Sequence, residues 1–74
     1  MNTMDPTALR AAAIEYFGGR QHPFTQRELA SFLGVSRYTL LRYRREGALT
    51  AFVRGNVVRF AVESVYSFII RQTV

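Results

Sequence analysis

The sequence predicts a mainly α-helical chain carrying one small β-hairpin. Three observations lead there. Amphipathic stretches of helical period recur four times, three of them behind a good capping residue. Two of these stretches are separated only by Gly34-Val35-Ser36. Two β-rich runs flank Gly55-Asn56, the pattern of a hairpin with a tight two-residue turn. At 74 residues the expectation is a single domain, 1–74, with a small core. Hydrophobic residues make up 49% of the chain, enough for a compact fold.

Each element has a local reason. Met1 to Met4 reads as a frayed tail. Asp5 caps the first helix, with Pro6 at the first helical position, and Gly18-Gly19 stops it near Phe17. This unit spans 1–20; Leu9, Ala12, Ala13, Tyr16 and Phe17 share its apolar face, and Ile14 falls off it. Thr25 caps the second helix with Glu28 in the capping-box position, Phe24 placed to staple onto Leu29, and Leu29, Ala30, Phe32 and Leu33 as the apolar stripe. Ser36 caps the third helix, which runs to Glu46 before Gly47. In the hairpin, 51–60, Val53 should face Val58 and Ala51 should face Phe60 on the core side, with Phe52, Arg54, Val57 and Arg59 on the other. The last helix, 62–72, has Val62, Val65, Tyr66 and Ile69 inward, with Phe68 and Ile70 left over. Ala61 offers no capping side chain for it.

The formal charge is +5, and all ten basic residues are arginine. A field of that sign attracts polyanions, either nucleic acid or an anionic membrane surface. Arginine suits bidentate contacts with phosphate and guanine, while a GC-rich coding sequence would equally favour it over lysine. Placement carries more information: six arginines lie from Arg37 to Arg59, with Glu46 the only acid among them. The absence of cysteine excludes disulfides and thiolate metal sites. The first residues lack a signal-peptide pattern, and no apolar run approaches the roughly 20 residues of a membrane span. His22 is a lone loop histidine, and the five acids are dispersed with capping or surface explanations. No nucleophile, base and orienter are grouped, and Gly18-Gly19 lacks the lysine and preceding strand of a phosphate loop, so neither an enzyme nor a cofactor or metal site is expected.

Two helices joined by three residues form a helix-turn-helix, 24–46. Ala30 is small enough for close crossing, Gly34 allows the tight turn, and Val35 and Leu40 plug the angle between the helices. The run "FTQRELASFLGVSRYTLLRYRREGAL", then "VRGNVVRF", then "VESVYSFI", resembles the excisionase and MerR-like winged helix-turn-helix DNA-binding domains. The hairpin would then be the wing, and the helix before Gly18 an addition to the minimal module. Three positions depart from the family pattern. Thr50 stands where a proline is common before the wing, Ala61 where a basic residue is common after it, and Leu41 where MerR-type regulators carry an arginine.

On the third helix Leu40 and Tyr43 point to the core, and Tyr38, Leu41, Arg42 and Arg45 point away, with Arg37 at the edge. A recognition helix leads into the major groove with its N-terminal residues, which selects Arg37, Tyr38, Leu41 and Arg42 for bases and nearby phosphates, and Arg45 for the backbone. Leu41 would meet a thymine methyl. Arg44 sits nearer the core side and would snorkel. Ser36, at the amide end of this helix, and Thr25, at the start of the one before it, complete the helix-turn-helix part of the set. In the wing, Arg54, Asn56 and Arg59 are the candidates, and the resemblance implies entry into an adjacent minor groove. The alternatives are a solvated basic helix and an edge hairpin protected by arginines.

The resemblance implies an excisionase, or recombination directionality factor, acting on DNA in the cytoplasm of a bacterial host, with duplex DNA and an integrase as partners. Ile14, Phe52, Val57, Phe68 and Ile70, apolar side chains without an evident place in the core, point to head-to-tail self-association on DNA, with a closed two-fold dimer as the other arrangement. A MerR-type dimerisation helix and effector domain are not expected in the ten or so residues after the wing. The alternatives are a small phage or mobile-element transcription regulator, and a protein-binding adaptor such as a packaging subunit or antitoxin.

Overall fold

The computed structural model describes residues 5–73; the expected tail at Met1 to Met4 lies outside them. The caps act where the sequence puts them. Asp5 accepts from the Thr7 N–H, and α1 (Pro6–Tyr16) ends through Phe17 into Gly18 and Gly19, both at positive φ. A two-residue strand, β1 (Phe24–Thr25), leads directly into α2 (Gln26–Leu33). The Thr25 hydroxyl accepts from the Glu28 N–H at 3.0 Å while Glu28 accepts from the Thr25 N–H at 2.9 Å, a reciprocal capping box. Gly34 closes α2 at φ +71, and the Val35 N–H bonds to the Ala30 carbonyl. Ser36 caps α3 (Arg37–Arg45) by accepting from the Thr39 N–H at 3.2 Å.

The hairpin of β2 (Ala51–Arg54) and β3 (Val57–Phe60) has the expected register, with Ala51 opposite Phe60 and Val53 opposite Val58. It is part of a larger sheet. β1 pairs antiparallel with β3, Phe24 opposite Phe60 and Thr25 opposite Arg59, giving the order β1-β3-β2. The wing is thereby hydrogen-bonded to the residues that start the helix-turn-helix. Helix α4 (Val62–Thr73) follows. Ala61 has no capping side chain, but its carbonyl accepts from the Ser64 and Val65 N–H groups, and the Ser64 hydroxyl accepts from the Thr50 N–H at 2.8 Å.

One core gathers Ala13, Phe24, Leu29, Leu40, Leu49, Phe60, Val62, Val65 and Phe68. Phe24 and Leu29, the expected staple pair, are both in it. Several wheel assignments are corrected. Phe68 is buried, its ring 4.9 Å from that of Tyr43, and Ile14 packs against the core, because α1 and α4 lie along each other and engage a wider arc than one stripe. Val53 has the expected partner, yet is 55% exposed while Val58 opposite it packs against the core, because β2 is an outer strand of the sheet and β3 the middle one. Tyr16 and Phe32 are also mostly exposed, resting their rings on Phe17 at 5.0 and 5.9 Å. Phe52, Val57 and Ile70 are exposed, as their positions implied.

Candidate nucleic-acid interface

Helix α3 divides between core and surface within two adjacent residues. Leu40 is fully buried, whereas Leu41 is 37% exposed. Among the described residues Tyr38 is the most exposed large hydrophobic side chain, at 71%, with the Arg37 guanidinium 5.4 Å from its ring centre. Arg37, Arg42 and Arg45 are exposed, and Arg44 is half-buried. Arg42 makes a loose ion pair with Glu46 at 3.9 Å and lies 5.8 Å from the Tyr43 ring.

The structure brings part of the predicted set together. Arg37, Tyr38 and Leu41 line a crevice of about 270 Å³ with Gln26, Leu40, Arg44 and Phe60, where α3 faces the start of α2 and the middle strand. Leu41, Arg44 and Arg45 also border a second groove that reaches Thr50 and Ala51 at the base of the wing. Thr25 and Arg59 are paired across β1 and β3. Arg54 and Asn56 stand apart from these, at the far end of the hairpin, beside Gly55 at φ +62. Arg59 is half-buried, donating to the Val58 carbonyl at 3.4 Å. The hydroxyls of Thr25 and Ser36 serve as caps, and first-turn N–H groups such as those of Arg37 and Tyr38 have no acceptor within their own helix.

Sequence reasoning left three residues out of the site here, Gln26, Arg27 and Arg44. Gln26 and Arg27 line a groove with Ala30 and Arg37, between the N-terminal halves of the two helices. The signal was present: both follow the Thr25 cap directly, and the helix crossing presents the first turn of α2 beside the first turn of α3. The half-buried Arg44 belongs with them, since it borders both α3 grooves.

Electrostatics separates the arginines further. Arg10 pairs with Glu63 at 3.0 Å and Arg20 with Glu28 at 2.8 Å. The Glu28 carboxyl is held down to about 2, first by the Arg20 hydrogen bond and then by the Thr25 N–H. Among the described residues, Arg27, Arg37, Arg44, Arg45, Arg54, Arg59 and Arg71 form no ion pair. All but Arg71 belong to the helix-turn-helix or the wing. Arg10 and Arg20, outside the helix-turn-helix and wing, are thus both paired, while within those elements only Arg42 is, which leaves the α2–α3–wing elements positive. No three His, Asp or Glu side chains among the described residues could hold a metal ion, and no described helix is long and apolar enough to cross a membrane.

Two helices across a glycine turn, followed by a hairpin bonded back to their start, define a winged helix-turn-helix module. Residues 24–73 match the family model described as "Helix-turn-helix domain", and the chain belongs to that family of DNA-binding domains. Comparison with curated proteins and with solved structures gives no match.

Proposed function

We propose that the protein binds duplex DNA through α3 and the wing and bends it as an accessory factor of the excisionase type, assisting an integrase and performing no chemistry of its own. The observation that carries the reading is the concentration of unpaired arginines on the helix-turn-helix and wing. Arg37, Tyr38, Leu41 and Arg42 meet base edges and nearby phosphates, Arg45 and the two cap positions meet the backbone, and Arg54, Asn56 and Arg59 follow the neighbouring minor groove. A module of this size covers about one turn of duplex, so useful occupancy needs neighbours. Phe52, Val57 and Ile70, together with Tyr16 and Phe32, are exposed apolar side chains available for a head-to-tail contact between copies. The test is a titration on duplexes carrying one, two and three tandem sites, with a permuted-fragment assay for bending. Cooperative filling and a bend support the excisionase reading. Independent filling of unbent DNA replaces it with a small transcription regulator.

A further inference from the structure

We propose that Arg20, which lies in the loop after α1 and outside the DNA-facing set, is a positioning residue that fixes the wing against the helix-turn-helix. Its side chain is only 20% exposed. Its Nε donates to the His22 carbonyl at 3.0 Å. Its Nη2 donates to the Pro23 carbonyl at 2.9 Å and to Glu28 Oε1 at 2.8 Å. The guanidinium lies over the Phe24 ring, 3.9 Å from its centre. One planar group thus holds the carbonyls that lead into β1, the ring of its first residue and the carboxylate that caps its second.

The consequence follows from where β1 lies. It is two residues long, too short to order itself, and it is the strand through which β3, the wing strand in the middle of the sheet, bonds to the start of α2. Glu28, fixed by Arg20, accepts from the Thr25 N–H; Thr25 in turn pairs with Arg59, and Phe24 with Phe60. Arg20 therefore acts on the wing through Glu28, Thr25 and Arg59. Lysine cannot replace it, because a single ammonium can neither stack flat on Phe24 nor direct two edges of a fork at separate acceptors.

This role rests on the wing contacting DNA, so one measurement uses DNA and one does not. The first is a double-mutant cycle between Arg20→Ala and Arg54→Ala, read as affinity for a mixed-sequence duplex with an A·T-rich tract, at a temperature where all variants are folded. If Arg20 aligns the wing, the loss caused by Arg54→Ala shrinks about threefold or more in the Arg20→Ala background. Arg20→Lys gives the same shrinkage, and carries the cycle if the alanine variant does not fold. Equal losses in both backgrounds, or full recovery with lysine, overturn the proposal. The second is amide hydrogen exchange in the free protein. Arg20→Lys should release Phe24, Thr25, Arg59 and Phe60 while Leu29 and Leu40 stay protected; release at all six in parallel reduces Arg20 to general stability and overturns the role. Absence of DNA binding in the wild type would defeat the proposed function, and the exchange pattern would still decide on Arg20.

Discussion

Leu40 and Leu41 are adjacent, identical in chemistry and opposite in role, so replacing each with alanine separates folding from recognition. Leu40 is fully enclosed in the core that holds Leu29, Leu49 and Phe60. Truncating a side chain so placed costs about 2–5 kcal/mol, the range reflecting how far the site collapses. In a domain of this size each kcal/mol lowers Tm by about 4–8 °C, so a fall of roughly 8–40 °C is expected. Leu41 is 37% exposed and rests on the wing side of α3. Its truncation forfeits only part of a methylene-scale burial, about 1 kcal/mol or less, and alanine's helix propensity offsets some of that. On DNA the ranking inverts. Leu41→Ala loses an apolar contact worth about 1 kcal/mol, roughly a fivefold weakening, whereas folded Leu40→Ala keeps its contact surface. Urea denaturation followed by far-UV circular dichroism gives the first comparison. Gel shifts at a temperature where both variants are folded give the second. Equal destabilisation by the two substitutions, or a Leu41→Ala variant that binds DNA like the wild type, would refute the division of α3 drawn here.

The other substitutions test the surface and its anchor. Arg37→Ala and Arg42→Ala should each weaken specific binding by about 1–3 kcal/mol, and Arg45→Ala should weaken cognate and scrambled duplexes by similar factors; unchanged affinity in both of the first two, with the fold intact, removes the base-reading assignment. Arg54→Ala combined with Asn56→Ala should cost most on narrow A·T-rich flanks, and equal binding of wild type and double variant on flanks of every composition would count against minor-groove entry. Glu28 titrates near 2 in the folded chain against an ordinary 4.5, so the stability it contributes is present above 4.5 and is lost as pH falls from there toward 2. Glu28→Gln should flatten that part of the Tm–pH curve, and curves that stay parallel over this range would contradict the Arg20–Glu28–Thr25 arrangement.

Much of this was legible because it is local. A cap is a relation between residues three apart, and Asp5, Thr25 with Glu28, and Ser36 all act at the ends where they stand. The wing register was legible because a two-residue turn fixes it. What escaped depends on distant partners. Phe24-Thr25 is too short to show alternation, and only the folded chain brings Phe60 and Arg59 beside it. Phe68 and Ile14 were misplaced because a helical wheel assumes one neighbour, whereas α1 and α4 each meet both the core and one another. Val53 shows the complementary error: periodicity gives the face of a strand, not its place at the edge of the sheet. The candidate interface was legible in α3 and at the wing tip. For Gln26 and Arg27 only the position after the Thr25 cap was legible; their place at the interface comes from the crossing of α2 and α3. Arg20, a single arginine in a loop, carries no pattern at all.

In the proposed function the helix-turn-helix and wing together form the DNA surface, and the salt dependence of binding tests this most directly. Six arginines on these elements, Arg27, Arg37, Arg44, Arg45, Arg54 and Arg59, have no acid partner among the described residues. Each phosphate neutralised contributes about −0.9 to the slope of log K against log salt, so the account predicts a slope of roughly −5 to −6 on duplex DNA. A slope shallower than about −2 would mean that this basic surface is not where the protein meets DNA, and would favour a protein-binding adaptor instead.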